Sequence, residues 1–92
     1  MCSDLKEKKR KQATGEELSE QQRKLRAILG KNLNYFRKSR GLTLEELASQ
    51  TGYSSAWIGG MERGRMNGST DRLANIADKL GIDLYILFID RG

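Results

Sequence analysis

The sequence predicts a compact all-α domain. Three observations lead there. Apolar residues recur at helical spacing, capping signals alternate with glycine stops, and no pair of candidate strands exists. The 92 residues suit one small domain.

The elements follow in chain order. Thr14 with Glu17, and Ser19 with Gln22, have capping-box spacing. Leu18, Leu25, Leu29, Leu33 and Phe36 then fall on one helical stripe. Gly30 weakens the middle of that stretch, so it reads as one long helix or two. Gly41 supplies a stop after Arg40. Thr43 with Glu46 opens a short helix through Gln50, which Gly52 breaks. Ser54 caps the next helix, which runs to about Arg63 and stops at Gly64. Met66-Asn67-Gly68 is a loop. Ser69 or Thr70 caps a helix carrying Leu73, Ile76, Ala77 and Leu80, and Gly81 ends it. Asp83 is placed to cap a last short helix, Leu84–Ile89. That segment alone is continuous enough for a strand, and it has nothing to pair with. The expectation is five short helices with short connections. The organisation expected is a basic mobile tail over 1–13, an N-terminal helical extension over 14–28, and the main domain over 29–92.

Composition narrows the function classes. Histidine is absent and Cys2 is the single cysteine, so zinc sites, Cys–His chemistry and disulfide scaffolds are not expected. Acid pairs such as Glu45-Glu46 are adjacent on a helix and point in different directions. No Gly-rich phosphate loop leads into a helix with Lys-Ser/Thr. The sequence therefore reads as a binding module and not an enzyme, with no cofactor and no metal. No apolar run approaches the ~20 residues of a membrane span, and no signal segment is read at the start. A cytoplasmic, nucleoid-associated location is the expectation. Lys and Arg number 17 against 12 Asp and Glu, a net charge of +5. The partner of a basic surface is an anion, and nucleic acid is the commonest. The sharpest cluster, Lys6-Glu7-Lys8-Lys9-Arg10-Lys11, reads either as a solubilising tail or as an arm for non-specific phosphate contacts.

The central segment carries the functional signal. Two helices crossing at a sharp angle need a small residue where their backbones come close, and Ala48 fits. The turn needs a residue at ease with positive φ, and Gly52 fits. The second helix needs a large apolar residue pointing back inward, and Ile58 fits, with Met61 one turn later. Small residue, Gly and Ile at this spacing describe a helix-turn-helix.

The wider context agrees. Leu33 to Thr43, Glu45 to Ser54, Trp57-Ile58, Met61 to Gly64 and Leu73 to Ile82 together resemble the Cro/phage-repressor-type helix-turn-helix family, also called the Xre family. The resemblance implies a five-helix, lambda-repressor-like domain that inserts its third helix, about 54–63, into the DNA major groove. It also implies a dimeric repressor or regulator on a two-fold operator in double-stranded DNA. Arg37 and Glu62 occupy positions that commonly form a pair tying the first helix to the end of the third, a structural role. Base contacts fall by position to Ser55, Ala56, Gly59 and Gly60, a nearly bare face. Ser54, Lys31, Trp57, Arg63, Arg65 and Asn67 are the expected backbone anchors. Leu44 departs from the family, which often has a phosphate-bonding Gln there. The bareness of the reading face leaves two readings: the glycines permit close approach of the helix to DNA, with Ser55, Trp57 and the loop arginines doing the reading, or the chain is a protein-interaction adaptor of the same fold that uses the Gly59-Gly60 face or the C-terminal apolar patch.

The final segment Leu84-Tyr85-Ile86-Leu87-Phe88-Ile89 is apolar all round. One face, Leu84, Leu87 and Phe88, is expected to reach the core. The surplus face of Tyr85, Ile86 and Ile89 is expected to be a homodimer interface. The Leu18, Leu25 and Leu29 stripe offers a second route to helix pairing.

Overall fold

The computed structural model describes residues 18–91. Among the described residues four α-helices and one 3-10 helix follow one another: α1 Glu20–Ser39, α2 Leu44–Thr51, α3 Ser55–Glu62, α4 Thr70–Leu80 and the 3-10 helix Leu84–Phe88. No described residue lies in a strand. The five-helix expectation is corrected in one place: the last segment is a 3-10 turn, not an α-helix. The reasons are local. The Asp83 side chain makes no cap bond, and the segment is five residues long. Its closing carbonyls are also taken by another side chain. Asn32, buried on α1, donates through Nδ2 to Leu87 O at 2.9 Å and Ile89 O at 2.8 Å, and more weakly to Ile86 O at 3.4 Å.

The helix starts match their chemistry. Ser19–Gln22 and Thr43–Glu46 each form the full reciprocal capping box. Ser54 and Ser69 accept from the third helical amide of α3 and α4. The Thr14–Glu17 box, the Lys6–Lys11 run, Cys2 and the 1–13 tail lie outside the described residues.

α1 is one unbroken helix across Gly30, and it crosses the boundary expected at residue 28. Gly30 serves a close approach. A methyl there would lie 2.5 Å from Met61 O and 2.6 Å from Glu62 O. The end of α3 therefore rests directly on the backbone of α1. From the α1 stripe, Leu29 and Leu33 enter the core and Phe36 packs against it, while Leu25 is left exposed. They join Leu47, Ile58, Met61, Leu73, Ile76, Ala77, Leu80 and Leu87. Leu87 is fully buried, with Leu84 and Phe88 packed against the same core.

Gly30→Ala gains helix propensity of about 1 kcal/mol. It also forces two backbones apart, an overpacking of about 1–3 kcal/mol. The expected net result is a lower urea midpoint by circular dichroism, opposite to what propensity alone gives.

Candidate nucleic-acid interface

The turn between α2 and α3 is fastened from three sides. Gly52 ends α2 at φ +85°, a backbone state that side-chain-bearing residues resist. Thr51 Oγ1 donates to Leu47 O at 2.9 Å and accepts from the Tyr53 amide at 3.3 Å. Asn75 of α4 donates through Nδ2 to Thr51 O at 3.2 Å and to the Tyr53 hydroxyl at 3.1 Å. α3 then buries Ile58 and Met61 completely and leaves Ala56 exposed.

The far end of α3 is held by a charged group. Arg37 Nε donates to Glu62 Oε2 at 2.6 Å and Nη2 donates to Oε1 at 3.0 Å, a two-pronged pair. Asn34 Nδ2 adds a bond to Glu62 Oε1 at 2.8 Å, and Arg37 Nη1 donates to Leu42 O at 2.7 Å. The pair is largely out of water, with side chains 10% and 7% exposed. The hydrogen bond with Glu62 raises the Arg37 pKa above its ordinary value, against the opposing effect of burial, and the charges of Glu62 and Glu45 add to the rise. A raised folded-state pKa means that this stabilisation is complete below the ordinary arginine value. It fades only in strong alkali.

One expectation for the outer face needs correction: Gly59 and Gly60, expected to be exposed there, are buried. A methyl at Gly59 would sit 3.3 Å from Arg63 Nη1 and 3.4 Å from Leu44 Cδ1. One at Gly60 would sit 2.6 Å from Met66 Cγ. Hydrogen atoms leave room, and long neighbouring side chains fold into it. Of the expected base-facing residues, Ala56 is exposed and Ser55 is half-buried.

This is an α2–turn–α3 unit, braced by α4 at the turn and by α1 at the exit, in which α3 is mostly buried and exposes Ala56. A model of the family described as "helix-turn-helix domain" matches residues 28–84. The chain belongs to the helix-turn-helix domain family. It is of the Cro/phage-repressor type. Among its relatives is an uncharacterized HTH-type transcriptional regulator of Sinorhizobium fredii, 34% identical over 58 residues, which are 63% of this chain and 75% of the relative. The crystal structure of a hypothetical transcription factor from Neisseria superposes with a TM-score of 0.71 at 33% identity, covering 82% of this chain and 85% of that one. The biofilm regulator SinR, solved in complex with DNA, superposes at 0.63 with 26% identity over 66% of this chain and 98% of its own. The relatives are named transcriptional regulators.

Around the helix-turn-helix, the candidate anchors divide. The Ser54 hydroxyl accepts from the Trp57 amide at 3.0 Å, so it is engaged as the α3 cap. Arg63, Arg65 and Asn67 are exposed after α3, and the Arg65 carbonyl accepts from Arg26 Nη1 at 3.3 Å. Lys31 is exposed elsewhere. It lines a hollow of about 460 Å³ with Glu62 and Arg91, between α1 and the C-terminal segment. Trp57 is half-buried. Its ring meets Tyr53 edge-on with centroids 5.2 Å apart, and a methyl on Gly68 would lie 3.0 Å from it. Arg72 stacks over both rings, 5.2 Å from Tyr53 and 5.0 Å from Trp57.

Composition and spacing assign Tyr53, Arg72, Asn75 and Met66 no functional role. The aromatic–arginine cluster joins residues of the turn, α3 and α4, and no linear spacing announces it. The one available cue was an aromatic at Tyr53 four residues before Trp57. At the C-terminus Tyr85 is 64% and Ile89 47% exposed, while Ile86 is half-buried. No described helix is long and apolar enough to cross a membrane, and no group of three or more described His, Cys, Asp or Glu residues gathers to hold a metal.

Glu62→Ala leaves Arg37 buried without its partner. The expected loss is about 3–5 kcal/mol, read as a fall in the urea midpoint.

Proposed function

We propose that the chain is a sequence-specific, double-stranded DNA-binding transcription regulator, acting as a repressor. In this reading a homodimer sets α3 of each copy into the major groove of a two-fold operator. The carrying observation is the outward face of α3. It has a capped N-terminus, an exposed Ala56, and Arg63 and Arg65 directly after it. The acid of the helix, Glu62, is withdrawn into the pair with Arg37. A net charge of +5 favours a polyanion. SinR, a structural relative, is solved with DNA, which supports the same partner here.

The roles divide by position. The first amides of α3, beneath Ser54, meet a phosphate. Ser55 gives one hydrogen bond to a base edge, and Ala56 presses on a thymine methyl. Gly59 and Gly60 contribute through what they let lie over them. Arg65, Asn67, Lys31 and the Trp57 edge hold the backbone. Tyr85, Ile86 and Ile89 form the dimer surface, which spaces two recognition helices about one DNA turn apart, ~34 Å. The same exposed patch supports the alternative reading, an adaptor that binds another protein. Such a regulator works in the cytoplasm, at the nucleoid.

Selection from a random duplex pool, followed by a salt series, tests the reading. An enriched two-fold site with a steep salt dependence is expected, and Arg65→Ala should flatten the slope of log K against log[salt] by ~1. No enrichment and no duplex binding near physiological salt would favour the adaptor. Ile86→Lys should shift the protein towards monomer in sedimentation equilibrium. An unchanged distribution removes the C-terminal interface.

A further inference from the structure

The outer face of α3 lacks side chains at its centre, yet it is not empty. Arg63 follows Gly59 by four residues, Gly60 by three and Ala56 by seven, so all four share one face. Side chains on a helix lean towards its N-terminus. Arg63, at the C-cap of α3, therefore folds back along the face over Gly59. A methyl at Gly59 would lie 3.3 Å from Nη1 and 3.9 Å from Nη2. The glycine is the floor on which the guanidinium rests.

The flanks of this track are apolar. Leu44 Cδ1 comes within 3.4 Å of the same Gly59 position. Met66 lies over Gly60, with Cγ, Cε and Sδ at 2.6, 3.2 and 3.6 Å from a methyl built there. The Leu44 side chain offers the guanidinium no hydrogen-bond acceptor, and the Met66 thioether is only a weak one. Nor is Arg63 in the ion pairing found among the described residues, where Arg37 and Glu62 are matched to each other. Arg63 is exposed, charged and laid along the helix surface, not splayed into the following loop.

We infer that Arg63 is the principal base-reading residue of this domain and not a phosphate anchor. Its planar fork, carried over Gly59, donates two parallel hydrogen bonds to O6 and N7 of a guanine in the major groove. The missing side chains at 59 and 60 are what give a residue from the helix end access to the middle of the reading face. This inference rests on the duplex-DNA reading above and names the residue that reads.

The test compares wild type, Arg63→Lys and Arg63→Ala on the duplex enriched from a random pool and on a random duplex, each across a salt series. Lysine keeps the charge and loses the fork. Arg63→Lys is expected to bind random duplex as wild type does, with the same salt slope. It should lose roughly ten-fold or more of the preference for one guanine in each half-site. Replacing that guanine by 7-deazaguanine should cost wild type a similar factor and cost Arg63→Lys much less. Three results would overturn the inference: Arg63→Lys keeping the wild-type preference, Arg63→Ala weakening both duplexes equally while the slope falls by ~1, or an enriched site with no invariant guanine. Failure of wild type to bind any duplex would instead overturn the DNA reading on which it stands. Thermal melts of both variants should match wild type, because Arg63 is exposed.

Discussion

The structure depends most on the charged pair between Arg37 and Glu62. It joins three segments at one point: α1, the loop after it through Leu42 O, and the last turn of α3. Both charges are mostly withdrawn from water, so each needs the other and needs its remaining hydrogen-bonding atoms filled. Asn34 and the Leu42 carbonyl do that, and no described side-chain polar atom is left buried without a partner. A group this demanding has few alternative arrangements. It fixes the direction of α3 more tightly than the apolar contacts of Ile58 and Met61 could alone, since hydrophobic burial is non-directional.

Around that point the fold is assembled by close approach and by asparagine clamps. Gly30 lets the carbonyls of Met61 and Glu62 rest on α1. Asn75 fastens the turn to α4, and Asn32 fastens the C-terminal segment to α1. Together they hold an eight-residue helix with two glycines, which has poor intrinsic helix propensity. Tertiary support substitutes for propensity here. The support lies on the inner side, at the turn and at the exit, and the outer side is left to Ala56 and the overlying arginine.

Much of this was legible in the sequence, because capping and stop signals act locally. Ser19 with Gln22 and Thr43 with Glu46 close the boxes their spacing announces, and Ser54 caps where a helix had to begin after Gly52. The helix-turn-helix itself was legible through Ala48, Gly52 and Ile58. What stayed hidden depends on distant partners. Asp83 looked like a cap, but its side chain makes no cap bond, and Asn32, distant in sequence on α1, takes the carbonyls that a longer helix would have used. Spacing alone places Arg63 one turn beyond Gly59, but Leu44 beside Gly59 and Met66 over Gly60 come from segments outside α3, so the burial of both glycines shows only in the packed fold. Gly30 looked like a weakness in a helix, and its purpose exists only once α3 is packed on it. The Tyr53–Trp57–Arg72 cluster likewise needs α4 in place.

The claim that one buried pair orients α3 is most directly tested by a double-mutant cycle on Arg37→Leu and Glu62→Leu. Stability would be read in urea, with affinity for duplex DNA measured on the same four proteins. Each single change is expected to be strongly destabilising. The double variant should recover at least about 1–3 kcal/mol relative to their sum, because two leucines leave no orphaned charge. DNA affinity should stay low in the folded double variant, since α3 has lost its directional tie. Additive losses, or a stable double variant that binds duplex like wild type, would contradict that claim.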